Sequence, residues 1–351
     1  MGPASSRRRV IEMNLAIAGT GAMARDIGAF LLGRGWGLTF LSRDADRLQS
    51  FQARMARDVR RIARDHGTVV EPAFGLVGGP DVARLLASVS GLLETIEERA
   101  ESKKALFETL VPHLSPIAWI LSNSSSYLPW SLHPGCLGSH FFRPVSLTGF
   151  LEVVVPAGAD HVRVSRLCSL WREAGLHVIL QDESSAFAVN RLLLPVQTEC
   201  LAMLLAGASP EAVDGESARA LGVGLLGMMD AIGLETVANA VEAYRSRMEP
   251  AEAATLEPLA RGLSELLSMG KRGRPNGDGL LVGEPLPWAG GAGTVASDTA
   301  TRLRTIFHAT CRDFTGRGFI ESADLRLVLD SLFGPDLHDL GYHADSRGKG
   351  R

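Results

Sequence analysis

Two stretches of the chain combine residue types that can move protons. Ser139-His140-Phe141-Phe142-Arg143-Pro144 sets an imidazole among aromatic residues, and Leu151-Glu152-Val153-Val154 follows with a carboxylate in an apolar run. Imidazole, with an ordinary pKa of about 6.5, takes and gives protons near neutrality. A carboxylate against its second ring nitrogen would fix the tautomer and stabilise the imidazolium. Leu121-Ser122-Asn123-Ser124-Ser125-Ser126 upstream and Val189-Asn190-Arg191-Leu192-Leu193 downstream add hydroxyl and amide donors. Singly, each piece fits packing: a histidine beside two phenylalanines is more often a core residue than a base. Their joint order, behind a glycine-rich turn, points to acid–base chemistry.

That turn is Gly19-Thr20-Gly21-Ala22-Met23-Ala24, between an apolar run and a helical pattern. The first glycine permits a tight turn, and the second lets the backbone approach a pyrophosphate. Ala24 stands where a small residue is needed for helix–strand packing. The helix start offers unpaired N–H groups and a positive dipole to phosphates. Gly19, Thr20, Gly21, Ala22, Met23 and Ala24 are therefore expected to hold a dinucleotide. An NAD site usually ends its second strand in Asp or Glu, which binds the ribose 2′-hydroxyl. Here Ser42-Arg43 takes that place. A hydroxyl and a guanidinium suit a 2′-phosphate, so NADP(H) is slightly favoured over NAD(H). An arginine that merely ends a strand at the surface is the competing explanation.

The elements that must position these groups follow from periodicity. Strands are expected at 14–18, 38–41, 91–96, 118–121, 151–155 and 178–180, with helices between several of them. A long arginine-rich helix is expected from about Asp44 to Asp65. Alternation of strand and helix implies an α/β, Rossmann-type, mainly parallel sheet, assigned to 13–182. From Ala186 to about Ser268 the apolar spacing is helical throughout, broken at Gly207–Pro210, Gly222–Gly227 and Pro250. An all-helical domain is assigned to 183–290. A helical extension is assigned to 291–351, with a helical pair in 299–333 and a disordered tail from His338.

Composition excludes several classes. Of 351 residues 46% are hydrophobic and 21% charged, and the net charge is −3. That suits a soluble protein with a sizeable core and offers no global attraction to nucleic acid or anionic membrane. No apolar run is expected to reach the roughly 18–20 residues that span a bilayer. Met1–Arg9 carries three arginines with no apolar region behind them, so a cytoplasmic location is expected. Cys136, Cys168, Cys200 and Cys311 form no closely spaced pair, which implies reduced thiols and no metal centre.

The chain from about Asn14 to Leu281 resembles the 3-hydroxyacyl-CoA dehydrogenase family. Members carry a serine-rich SN(T/S)SS segment, HFFNP, a (L/V)VE pattern and an (I/V)NR(L/I) segment opening a helical domain. This chain has SNSSS, HFFRP, FLEVV and AVNRLLLP. Ala208–Asp214 and Gly227–Gly233 match a helix start and a later glycine-rich turn. The resemblance implies a dehydrogenase interconverting a 3-hydroxyacyl thioester and its 3-oxo form with NAD(P). It makes His140 the general acid–base, Glu152 its orienting carboxylate, and Ser125 and Asn190 donors to the substrate oxygens. Glu98 and Lys103 fall at cofactor- or substrate-contacting positions, against the competing view of a solvated helix face. It also implies a homodimer through the helical domains, consistent with the apolar Leu192–Leu205 stretch.

Three positions depart from the family: Ser42 for the ribose-binding Asp, Arg143 for the Asn of HFFNP, and Pro275 for a lysine in Gly273-Arg274-Pro275-Asn276-Gly277. They bear on cofactor preference and on ordinary fatty-acyl substrates. Arg143, at the nicotinamide end, suits a polar acyl group. Arg47, Arg54, Arg57, Arg60, Arg61 and Arg64 suit phosphates or an acidic acyl carrier protein, against the commoner case of a solvated face. Two alternatives stay open. One is a β-hydroxyacid dehydrogenase of the 6-phosphogluconate type, which relies on a lysine. The other is a non-catalytic binding or structural protein on the same fold.

Overall fold

The computed structural model describes residues 13–66, 69–283, 286 and 295–334. The arginines before Met13, the boundary at 290 and the tail from His338 lie outside the described residues. The chain divides into two compact units. Among the described residues, one takes those up to Ser124 together with Leu128–Glu183, and the other takes Ser125–Tyr127 and those from Ser184 onward.

The first unit is built on a six-stranded parallel sheet. Its strands are β1 (Asn14–Ala18), β2 (Gly37–Ser42), β3 (Ala73–Leu76), β4 (Gly91–Glu94), β5 (Trp119–Ser122) and β6 (Cys136–Gly138), in the order β3-β2-β1-β4-β5-β6. The order reverses between β1 and β4, so the crevice outside their carboxyl ends is where such sheets bind ligands. β1, β2 and β4 are buried almost end to end. That is why they appear in the sequence as unbroken apolar runs. Helices α1 (Ala22–Leu32) and α2 (Ala45–His66) follow β1 and β2. A second sheet of β7 (His140–Phe141), β8 (Phe150–Val154) and β9 (His177–Gln181) pairs β7 with β8 antiparallel and β8 with β9 parallel. Trp36 and Trp171 stack at 5.4 Å within the shared core of this unit.

β3, β6 and β7 were not expected from the sequence. Four, three and two residues long, they are too short to establish a period. β3 also lies at a sheet edge and is only partly covered, so it lacks a strong apolar signal.

The second unit is helical. Leu194–Leu205 packs against Pro210–Leu221, Leu225–Ile232, Glu257–Ser268 and Thr299–Gly316. The pair Thr299–Gly316 and Ser322–Phe333, expected as a separate extension, belongs to this unit. Leu303, Phe307, Cys311 and Phe314 are buried along the first of these helices. Neighbours in the same chain thus take up the apolar faces of Leu194–Leu205. The stretch Ala188–Leu205 corrects one expectation: by length and composition it is long and apolar enough to cross a membrane. It escapes notice in the sequence because Asn190, Arg191 and Glu199 interrupt it, and 61% of it is buried inside the chain.

All four cysteines are buried free thiols. Burial pushes Cys200 and Cys311 up to about 12 and raises Cys136 and Cys168 as well. The nucleophilic thiolate is therefore scarce at neutral pH. An aromatic disulfide reagent is expected to react slowly with the native protein and promptly with four thiols after denaturation. Fast labelling of any native thiol would contradict this.

Candidate active site

Gly19 has φ +135, and a Cβ there would meet the Thr95 carbonyl at 2.9 Å. Only glycine meets both demands, so β1 can turn closely past the end of β4. At Gly21 a Cβ would point into open space. Gly21 is also the N-cap of α1, and no side chain caps that helix. The helix start is thus uncapped by a side chain and has open space beside Gly21, an arrangement that suits the phosphates of a dinucleotide. Ala24 is fully buried, as helix–strand packing requires.

Gly19, Thr20, Gly21, Ser42 and Arg43 line one cavity of about 360 Å³, with Asp44, Arg47, Thr95 and Glu97. A neighbouring hollow on Thr20 and Gly21 is lined by Arg47, Ser50 and Arg54 of α2. Ser42 is buried, and its hydroxyl donates to the Asp44 carbonyl at 3.0 Å while accepting from the Asp44 amide at 3.1 Å. Arg43 pairs with Glu97 at 2.7 Å, both half exposed. Burial raises the Glu97 pKa, but its own backbone and Arg43 outweigh burial and hold it below the ordinary value. Arg47 was expected among the phosphate-seeking arginines of α2, whereas Asp44, Thr95 and Glu97 were not expected at this cavity. Asp44 had a signal: it sits where a helix N-cap belongs, and its carboxylate accepts from the Arg47 amide at 2.9 Å.

The His140–Glu152 pair forms by cross-strand register. His140 in β7 stands opposite Glu152 in β8, and Nδ1 lies 2.7 Å from Oε2. Both side chains are buried, Glu152 completely. The other carboxylate oxygen accepts from Gln181 Nε2 in β9 at 2.8 Å. Gln181 was missed because the expected strand stopped at 180. With Nδ1 against the carboxylate, the arrangement leaves Nε2 as the ring nitrogen able to exchange a proton. Two bonds tie the pair to the carboxyl end of β5. Asn123 Oδ1 accepts from the Phe141 amide at 2.9 Å, and the Ser139 amide donates to the Ser122 carbonyl at 2.9 Å.

Glu98 and Lys103 belong to a buried ionic network and not to a solvated face. Lys103 Nζ reaches Glu94 at 2.6 Å and Glu98 at 3.1 Å, with Lys103 1% and Glu94 0% exposed. Ser122 donates to Glu94 and Ser124 to Glu98, each at 2.6 Å. Burial alone would lower the Lys103 pKa, but the charges of Glu94 and Glu98 outweigh it and hold the ammonium above its ordinary value. The network fixes the Ser122–Ser124 turn and does not line the glycine-loop cavity. Arg143 does not line that cavity either. It is half exposed, with Nε 3.9 Å from Asp26 of α1, whose carboxylate also accepts from the Val145 amide at 2.8 Å.

Ser125 and Asn190 belong to the second unit. The Ser125 carbonyl accepts from the Tyr244 hydroxyl. Asn190 is half-buried on the one-turn helix Ala188–Arg191, which Phe187 opens in a left-handed conformation, φ 59. The structure thus assembles His140 with Glu152 in one unit and carries Ser125 with Asn190 in the other.

Comparison with known proteins agrees with this architecture. The family model for the 3-hydroxyacyl-CoA dehydrogenase NAD binding domain matches residues 14–184, and that for its C-terminal domain matches residues 187–282. A probable 3-hydroxyacyl-CoA dehydrogenase of Caenorhabditis elegans is 26% identical over 285 residues, covering 76% of this chain and 91% of the relative. The (S)-3-hydroxybutyryl-CoA dehydrogenase of Ralstonia eutropha shares the fold with a TM-score of 0.64 at 22% identity, over 78% of this chain and 99% of its own. The 3-hydroxybutyryl-CoA dehydrogenase of Escherichia coli K12 has a TM-score of 0.68 at 18% identity, over 92% of this chain and 89% of its own. A glycine-loop sheet unit followed by a helical unit, both matched by the family models, places the chain in the 3-hydroxyacyl-CoA dehydrogenase family.

Proposed function

We propose that the chain interconverts a 3-hydroxyacyl thioester and its 3-oxoacyl form, with His140 and Glu152 as the acid–base pair. The observation that carries this reading is the buried His140–Glu152 contact of 2.7 Å, with Gln181 on the second carboxylate oxygen. The glycine-loop residues Gly19 to Ala24 would hold a nicotinamide cofactor, which would supply the hydride chemistry when bound. His140 Nε2 takes the hydroxyl proton as the alcohol is oxidised and returns it to the oxygen when the ketone is reduced. Glu152 keeps the imidazole in register and offsets the charge it gains. Ser125 and Asn190 donate to the substrate oxygens as negative charge builds up on them. His140, Glu152, Ser125 and Asn190 are all retained in the sequence despite the departures at Ser42, Arg143 and Pro275. A binder or structural protein needs no base with a buried orienting carboxylate.

The acyl group is short and polar or branched, which suits Arg143, and is carried on coenzyme A or an acidic acyl carrier protein. Relatives named for 3-hydroxyacyl-CoA and 3-hydroxybutyryl-CoA support a thioester substrate. The carrier-protein reading draws on the exposed face of α2, where Arg57, Arg60, Arg61 and Arg64 stand out to solvent. A homodimer through the helical units completes the reading, on a surface other than Leu194–Leu205.

NADPH is expected to serve at least as well as NADH. Arg43 and Arg47 bring cationic groups to the cavity beside the glycine loop, and β2 ends without a carboxylate. Arg43 already holds Glu97, so a 2′-phosphate must share it with that carboxylate. The test is a rate panel: both cofactors, with acetoacetyl thioesters of coenzyme A and of acyl carrier protein. Arg43→Asp should erode or reverse the NADPH preference. A strong wild-type preference for NADH, with NADPH kinetics unmoved by Arg43→Asp, would remove the 2′-phosphate reading. No turnover of any thioester would remove the dehydrogenase reading.

A further inference from the structure

We propose that the helical pair at the carboxyl end of the second unit is a positioning element for Asn190, acting through Arg191. The inference rests on the proposed function in taking Asn190 as a group that meets substrate. Arg191 adjoins Asn190 on the Ala188–Arg191 turn and is 5% exposed. Its Nη1 donates to the Ser184 carbonyl at 2.7 Å, and Nη2 lies 3.4 Å from Glu252. The guanidinium carbon lies 4.8 Å from the Phe319 ring and 5.3 Å from the Phe314 ring. Glu252 is gripped from the other side by Arg317, at 3.2 and 3.3 Å to its two oxygens. Arg317 in turn stacks on Phe319, 4.1 Å from its ring centroid.

Phe314, Arg317 and Phe319 all lie beyond residue 282, where the family match ends. They give Arg191 two aromatic faces and fix its counter-ion. A buried guanidinium needs both to hold one orientation. The turn it ends is four residues long, too short to hold its own shape. Its other end opens at Phe187, a bulky residue with φ 59 that is fully buried, with the Arg247 guanidinium 5.3 Å from its ring. A bulky residue keeps that conformation only where its surroundings over-determine it. Asn190 therefore sits on a turn pinned at both ends, and the chain's own carboxyl-terminal helices supply the downstream pin.

The test uses the full chain with Phe319→Leu, which keeps apolar volume and loses the ring face, and with Arg317→Gln. Each is expected to lower kcat about 10- to 100-fold, the scale of a displaced reacting group, with cofactor affinity unchanged. In an Asn190→Ala background the same changes should cost nothing further, because they act through that side chain. Hydrogen exchange at amides 188–192 should quicken in both variants. A lowered melting temperature with kcat intact would reduce the contact to ordinary packing. Equal losses with and without Asn190 would overturn the proposal too. If the wild type turns over no thioester, the dehydrogenase reading falls separately and the exchange experiment decides alone: faster exchange upholds the pinned turn, unchanged exchange removes it.

Discussion

His140→Ala is expected to lower turnover at least about 100-fold, the usual cost of a missing general acid–base, while the cofactor dissociation constant barely moves. The two effects separate because His140 lies on β7 and does not line the glycine-loop cavity. Glu152→Gln should also be slow, with an altered pH–rate profile. It leaves the packing nearly intact but removes the charge that stabilises the imidazolium 2.7 Å away. Steady-state rates and fluorescence titration of the cofactor measure the two quantities independently. Turnover close to wild type in His140→Ala would show that the proton passes elsewhere.

Lys103→Ala should be the most damaging change to stability among the residues discussed. Glu94 is wholly enclosed and Glu98 nearly so, and Lys103 is the cation between them. Removing one partner of a buried ionic group costs about 3–5 kcal/mol, because the desolvated charges left behind lack compensation. That is a large share of the roughly 5–15 kcal/mol that holds an ordinary domain together. Chemical denaturation read by tryptophan fluorescence would give the loss as a shifted midpoint at unchanged slope. Lys103→Ala combined with Glu94→Gln should recover part of the loss, since one stranded charge is gone. A loss below about 1 kcal/mol, the worth of an exposed pair, would mean that water reaches the network.

The strands that form the centre of the sheet were legible because they are covered on both faces and therefore continuously apolar. The glycine loop was legible because backbone geometry restricts positions 19 and 21 so tightly. His140 and Glu152 stood out through their order in the chain, although nothing in one dimension says that two strands will align them opposite each other. Gln181 was invisible for the same reason: its role depends on β9 lying beside β8, and a glutamine ending a strand has no signature. Lys103 was expected at a cofactor- or substrate-contacting position, with a solvated helix face as the competing explanation, and neither includes a buried ion network, since charged helix residues usually are solvated. Its burial follows from two carboxylates, Glu94 and Glu98, that the sequence separates from it by nine and five positions. Arg191 stands in a recognisable motif, but its aromatic cage comes from residues more than a hundred positions downstream.

Ser125–Tyr127 makes the two units inseparable as genetic modules. The chain enters the helical unit for three residues, returns to complete the sheet unit, and rejoins the helical unit at Ser184. Any gene fragment cut near Ser184 therefore gives a sheet piece bearing Ser125 without the phenol of Tyr244, and a helical piece bearing that phenol without its acceptor. A chimaera that exchanges helical units between related enzymes must carry the 125–127 tripeptide along with the donor's tyrosine. Recombination at a single crossover would pair a serine loop and a helix shaped in different lineages.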